Sequence, residues 1–278
     1  MKTLLTFRVK KLVRNLNSPT EIYEIEENKN NLNINKKYLN KKGRPFSVSL
    51  PKEIKLFSEV AGLIVGEGFI GDRTFIFANS NEKAIDEVLD FLKQFNFPIK
   101  MYLEISVKNK PKIFKDQSKN FWENYLKIKI KRVRLRKEFN SITKYGTIHL
   151  IVNNALLSKL LKQIIELSKL KIEKNKQLSI DYLKGILAAE GNINVKKTTT
   201  NCLYMVRISA SKKEEREHYK RCLEKAGLHI YCEDMPSVSK EEGKQRGWKT
   251  TKGRAGAVII SKWDNFLNIL LLDLLELH

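Results

Sequence analysis

The chain is short of acids, of cysteine and of long apolar runs, and each shortage excludes something. It has 3 cysteines in 278 residues and no C-x-x-C pair. That argues against a disulfide framework and for a reducing compartment. His218, Cys222, His229 and Cys232 are close in sequence, but their spacing matches no usual zinc pattern, and structural roles are expected for them. No apolar stretch is long enough to span a bilayer. The best candidates are residues 60–65 and the C-terminal "ILLLDLLEL", which carries Asp273 and Glu276. The first acid is Glu21, so the amino end could serve as a transit peptide, although it is poor in serine. No G-x-x-x-x-G-K-[ST] loop appears, so nucleotide-driven chemistry has no support. The expected location is the cytoplasm, or an organellar matrix if the gene is organellar. Only 31 acids stand against 53 Lys and Arg, a net charge of +22. Such an excess serves solubility, or it fits a polyanion, because clustered cations release counterions condensed on phosphates. With 42% hydrophobic residues the chain can still bury a core.

The chain contains itself twice. "VAGLIVGEG" (60–68) and "LKGILAAEG" (183–191) each run from apolar residues into a glutamate followed by glycine. Aligning Glu67 with Glu190 places Gly62 on Gly185, Gly66 on Ala189 and Gly68 on Gly191. "FLKQFNFPI" (91–99) then matches "CLEKAGLHI" (222–230), with Asn96 on Gly227, the two residue types that best close a helix in the left-handed region. "LIVNNALLSKLL" (150–161) matches "VIISKWDNFLNI" (258–269), which puts Lys262 on Asn154. The repeat predicts an α+β chain whose copies share the order helix, two strands, helix, strands, helix. The first helix of copy one is expected near Pro51, and that of copy two after Ser179. In "CLYMVRISA" (202–210), Leu203, Met205 and Ile208 are the expected apolar contacts.

The expected organisation is a basic arm over 1–49, a first half over 50–167, a polar linker over 168–179 and a second half over 180–278. Residues 108–145 are an insertion in the first half, centred on "LKIKIKRVRLRKEF". As a strand it would carry Lys127, Lys129, Lys131 and Val133 on one face, with Ile128, Ile130, Arg132 and Arg134 on the other. That suits a phosphate backbone, or equally a solvated edge that lysine protects from aggregation.

Gly62 and Gly66, like Gly185 and Ala189, are spaced i, i+4 on one helix face. Without bulk there, the two helices can meet backbone to backbone and bring Glu67 and Glu190 out at one end. Paired carboxylates repel unless something offsets them, and Mg²⁺ or Mn²⁺ is one such partner. Each Glu could otherwise simply cap a helix end.

These two nonapeptides resemble the signature helices of the LAGLIDADG homing endonucleases in their single-chain form. The resemblance covers about residues 50–278. It implies two pseudo-symmetric αββαββα halves whose saddle-shaped antiparallel sheets straddle duplex DNA. It implies that Glu67 and Glu190 bind divalent metal, helped by the main-chain carbonyls of Gly66 and Ala189. It further implies that a monomer cuts both strands of a long asymmetric target, leaving short 3′ overhangs. Lys262 matches a lysine that many members carry, and Asn154 departs from it. The first hairpin, with Arg73, is short for the family. The second offers Lys196, Lys197 and Arg207, and "SKEEGKQRGWKTTKGRAG" (239–256) suggests a hairpin tip with Lys249, Lys252 and Arg254. Lys129, Lys131, Arg132 and Arg134 complete the expected DNA contacts. Two other readings stay open: an intron maturase that binds intron RNA, and a DNA-binding relative without catalysis.

Overall fold

A computed structural model describes residues 2–38, 46–106, 113–136, 144–197, 202–228, 239–245, 256–261 and 263–274. The chain divides into two compact units. The first holds Leu4–Leu56 and Glu67–Glu166. The second holds Met1–Thr3, Phe57–Gly66 and Leu167–His278.

The first unit begins with regular structure within the expected amino-terminal arm. Strand β1 (Leu4–Arg8), helix α1 (Val9–Arg14) and strands β2 (Glu21–Glu27), β3 (Asn31–Tyr38), β4 (Phe46–Pro51) and β5 (Glu53–Phe57) follow one another. β1 pairs with β5, and β2-β3-β4 form an antiparallel meander. The cause is period-2 patterning hidden among Lys and Asn: Leu5, Phe7, Leu32, Ile34, Ile54 and Leu56 all point inward and are buried. Pro51 therefore ends a strand and does not begin a helix.

This sheet carries a buried charge cluster. Lys36, 3% exposed, lies 2.8 Å from Glu21, and Lys159 reaches the same carboxylate at 2.5 Å. Burial alone would push the Glu21 carboxyl up, but hydrogen bonds from Lys159 and Lys36 outweigh it and hold it down at about 2. Its folded value lies below its unfolded one, so the cluster stabilises the fold above the usual carboxylate range and loses that effect as pH falls toward 2. Glu21→Gln should melt lower than the parent at neutral pH, and the gap should close on acidification. A gap that stays constant with pH in thermal melts would show the charge to be idle.

Strands β6 (Gly68–Ile70) and β7 (Phe75–Asn79), helix α3 (Glu82–Lys93) and strand β8 (Lys100–Ser106) continue the unit. Helix α4 (Ile113–Leu126) and strands β9 (Val133–Arg136) and β10 (Thr147–Val152) complete it. The sheet order is β6-β7-β10-β8-β9, antiparallel except where β9 joins β8 in parallel. One sheet face, with Phe75, Phe77, Leu103, Ile105, Ile148 and Leu150, is buried, as are Ala84, Ile85, Val88 and Leu92 of α3. Asn81 caps α3, accepting from the Ala84 N–H at 3.1 Å. Asn96 beyond it takes a φ of 54°.

The insertion is not one long strand. Helix α4 runs to Leu126 and stops where Lys127 adopts a φ of 55°, and only Val133–Arg136 is strand. Trp122, Leu126 and Ile130 are buried and tie the segment down, and the Ile130 N–H donates to Glu123 at 2.6 Å. These contacts outweigh the alternation that suggested a strand.

Helices α5 (Ala155–Ile172) and α6 (Lys176–Glu190) leave only Glu173–Asn175 between them. The expected linker over 168–179 is thus mostly helical. The apolar stripe of α5 continues to Ile172, which is fully buried, and Asn175 caps α6 by accepting from the Leu178 N–H. Ser179 is buried inside α6 and donates to the Ile172 carbonyl, so it is no N-cap.

The second unit continues with β11 (Gly191–Lys197), β12 (Cys202–Ser209), α7 (Lys213–Ala226), α8 (Lys240–Gln245), β13 (Ala257–Ser261) and α9 (Trp263–Leu271). Its sheet is β11-β12-β13, antiparallel throughout. Gly227 ends α7 with a φ of 93°, the counterpart of Asn96. In β12 the buried residues are Val206 and Ile208, so Met205 belongs to the half-exposed face. Residues 229–238, where the first copy has β8, lie outside the described residues.

Candidate functional site

Helix α2 spans Ser58–Glu67, and its residues up to Gly66 pack on α6 inside the second unit, where glycine makes the approach possible. A Cβ at Gly62 would lie 2.2 Å from the Tyr182 carbonyl oxygen. One at Gly185 would lie 2.0 Å from that of Glu59. Gly66 sits against Ala189, where an added Cβ would be 2.4 Å from the alanine methyl. Glu59, Gly62 and Gly66 thus meet Gly185, Ile186 and Ala189 in ascending order, and the helices run in the same direction. At their amino ends, Ser58 Oγ donates to the Leu178 carbonyl at 2.7 Å. Lys2 pairs with buried Glu59 at 2.9 Å, and the Thr3 N–H donates to Asp181 Oδ2 at 2.7 Å. Glu59 is thus paired with a cation, and Asp181 is hydrogen-bonded, also accepting from Gln177 at 2.9 Å.

At the other end each helix stops on its glutamate. Glu67 is the last residue of α2 and is exposed. Glu190 is the last of α6 and is half-buried. Burial pushes the Glu190 carboxyl up, and the charge of Glu215 adds to it. The Tyr219 hydroxyl is pushed up as well, by burial and then by Glu215 and Glu190. This corner holds more negative charge than it solvates, which is the electrostatic condition a cation relieves. Among the described residues no group of three or more His, Cys, Asp or Glu side chains could hold a metal ion.

The other expected residues divide into those the structure places and those it does not. Asn154 caps α5, its Oδ1 accepting from the Leu157 N–H at 3.0 Å, which gives the position a structural use without charge. Lys262, Lys249, Lys252 and Arg254 lie outside the described residues. Arg73 is exposed in the β6–β7 turn, and Lys129, Lys131, Arg132 and Arg134 are exposed around β9. Arg207 is half-buried opposite Asn192 and Ile259. Lys196 and Lys197 pair with Leu203 and Cys202 in the backbone ladder, and their side chains lie outside the described residues. The start of 239–256 is helical where a hairpin tip was expected. Ser239 and Glu242 form a reciprocal capping box on α8, at 2.8 and 3.1 Å.

The sequence reading missed a cluster on the open face of the first sheet. Tyr102 stacks on His149, ring centroids 4.3 Å apart, and Glu104 lies 3.0 Å from Arg136 and 3.8 Å from Arg134. Alternation in "KMYLEIS", with Leu103 and Ile105 inward, could have placed Tyr102 and Glu104 there. His218 and Cys222 are buried in the second unit. His218 Nδ1 is 2.6 Å from Glu173, and burial pushes the Cys222 thiol up to about 12. That thiol is a packing group.

Helix α2 and the first sheet give α2-β6-β7-α3-β8-β10-α5, with α4 and β9 inserted after β8. The second copy gives α6-β11-β12-α7-β13-α9, with α8 added after α7. Each copy follows the helix–strand–strand–helix plan, entered by a helix of the glycine-packed pair. The fold is of the LAGLIDADG type. No protein-family model and no curated protein matches the chain. Solved structures do. The N-terminal LAGLIDADG domain of DUF199/WhiA aligns over 80% of each chain, with 12% identity and a TM-score of 0.43. I-DmoI, in complex with DNA and Ca, aligns over 77% of this chain and 86% of its own, with 15% identity and a TM-score of 0.38. The homing endonuclease I-GzeII, in complex with a DNA target, aligns over 95% and 82%, with 9% identity and a TM-score of 0.32. The fold reading rests on this chain's own helix pair and sheets.

Proposed function

We propose that this protein is a site-specific, divalent-metal-dependent DNA endonuclease that hydrolyses both strands of a long asymmetric duplex target and leaves short 3′ overhangs. One observation carries the reading: Gly66 packs on Ala189, and the next residue of each helix is a glutamate. Glu67 and Glu190, with the carbonyls of Gly66 and Ala189, would hold Mg²⁺ or Mn²⁺. Bound there, such ions supply water activation and stabilise the leaving oxygen of a phosphodiester. The protein's part is to hold two carboxylates on stiff helices, each assigned to one strand. Lys262 would assist from its half alone, because Asn154 is committed to capping. The exposed cations Arg73, Lys129, Lys131 and Arg132 hold phosphates, with Lys196, Lys197, Arg207, Lys249, Lys252 and Arg254 as further contacts. A monomer suffices, because one chain carries both copies.

The test is cleavage of a plasmid that carries the sequences flanking the gene, rejoined. Cutting near the junction in Mg²⁺ supports the reading. A parent protein that binds this site yet never cuts it leaves a DNA-binding protein without catalysis. One that binds the intervening RNA instead is a maturase.

The charge makes a separate prediction. With a net charge of +22, duplex affinity should fall by about 10³-fold or more between low and physiological salt, the loss expected when several phosphates are neutralised. Gel-shift titrations across a salt series measure it. A flat response would remove nucleic acid from the account.

A further inference from the structure

The insertion carries two things together that duplex contacts alone do not require. The first is a run of exposed cations: Lys127, Lys129, Lys131 and Arg132 are all exposed, and no acid interrupts residues 127–136. The second is an aromatic ladder on and beside α4. Phe121 stacks on Tyr145 with centroids 3.9 Å apart and planes 16° from parallel. Tyr125, one turn further along the helix, lies 6.5 Å from Phe121 at 14°. Trp122 anchors the ladder from behind: it is fully buried, and its Nε1 donates to the Tyr145 carbonyl at 3.0 Å. Tyr125 is 42% exposed, near-parallel to Phe121 and edge-on to Trp122 at 87°. Lys144 sits 5.1 Å from the Tyr145 centroid at the other end.

Near-parallel rings flanked by cations are what unpaired bases bind: the rings take the base faces and the cations take the phosphates. We propose that the insertion, through Tyr125, Phe121 and the cations of 127–132, is a binding platform for single-stranded RNA. The polarity is set by its neighbours. Lys127 and Lys129 follow Tyr125 closely in the chain and are exposed, so the strand's backbone lies toward them with its bases over the rings. RNA is the source because the proposed endonuclease attacks phosphodiesters and has no need to unpair its DNA target, whereas RNA loops offer unstacked bases. Arg134 and Arg136 are held by Glu104 and take no part.

The probe is a fluorescein-labelled, unstructured oligoribonucleotide. It is titrated with the full chain beside the same-sequence oligodeoxyribonucleotide and a duplex. Tyr125→Ala removes an exposed ring and should leave folding intact, as thermal melts would verify. It should weaken RNA binding about ten-fold, the cost of one lost stack, with Tyr125→Phe restoring it. Lys127, Lys129 and Lys131 changed together to Gln should weaken it further and flatten its salt dependence. Duplex binding should move little with Tyr125→Ala, and so should cleavage of any cut site. RNA affinity unmoved by either variant would overturn the proposal. So would duplex affinity falling in step with Tyr125→Ala, which would make the rings part of the duplex interface; the lysine variant is expected to weaken both, because Lys129 and Lys131 also hold duplex phosphates in the proposed function. A deoxy strand bound as tightly as RNA would overturn the choice of RNA. Failure to cut any duplex leaves all these binding readouts intact, so the two readings fail separately.

Discussion

Glu67→Gln and Glu190→Gln should each keep DNA binding and lower cleavage by about 10³-fold or more, the loss that follows from removing several kcal/mol of transition-state charge stabilisation. Glutamine preserves the shape of the side chain and discards the charge that would hold the cation. Binding should survive because it rests on the cationic surface, and it could tighten slightly as a negative charge facing phosphate disappears. The two variants should differ in stability. Glu67 is exposed, and its replacement should be nearly silent. Glu190 is half-buried with its carboxyl pushed up, first by burial and then by Glu215. A raised folded value means that the native state prefers the neutral acid. Its contribution to stability is present at low pH and is lost as pH rises through the carboxylate range. Glu190→Gln should therefore melt above the parent at neutral pH and match it in acid. A functional group that costs stability in the resting protein is expected at an active site. Plasmid cleavage, gel shifts and melts across pH test the three parts. Both variants cutting at the parent rate in Mg²⁺ would end the catalytic assignment. Equal melting at neutral pH would show that Glu190 is not strained.

What the sequence disclosed depended on whether local pattern and tertiary contact agreed. The twin motifs were legible because their small residues answer to a close approach of two helices: the nearest atoms to a Cβ built at Gly62, Gly66 or Gly185 all belong to the other helix of the pair. The Asn96 and Gly227 match was legible because a left-handed φ leaves few residue choices. The amino-terminal sheet was hidden for the opposite reason. Strands such as "NLNINKKY" bury only alternate residues, and abundant Lys and Asn on the other face resemble an unstructured arm. Lys36, in the same stretch, is buried against Glu21. Within the expected linker only Glu173–Asn175 is non-helical, and these three residues suffice to turn α5 into α6. The upward push on the Glu190 carboxyl could not be read at all, since it depends first on burial and then on α7 bringing Glu215 close.

Gly62→Leu should be strongly destabilising. The helix pair leaves no space: a Cβ at Gly62 meets the Tyr182 carbonyl at 2.2 Å and the Ile186 nitrogen at 2.9 Å. These are backbone atoms, so no rotamer relieves the clash, and the helices must separate. Overpacking usually costs about 1–3 kcal/mol and occasionally more, and here the higher end applies. For a chain of this size that corresponds to a melting point lower by about 10 °C. The favourable helix propensity of a non-glycine residue, at most about 1 kcal/mol, does not offset it. A subtler pair of changes tests the register itself. At Gly66 the obstacle is the Ala189 methyl, 2.4 Å from an added Cβ. Gly66→Ala alone should destabilise, and adding Ala189→Gly should recover much of the loss, because the methyl has only moved from one helix to the other. Ala189→Gly by itself should cost about 1 kcal/mol of propensity. The double-mutant cycle should therefore give a coupling of about 1–3 kcal/mol, as expected for residues in direct contact. If the two changes add with no coupling, or if Gly62→Leu melts like the parent, α2 and α6 do not meet in this register, and their glutamates have no reason to share a site.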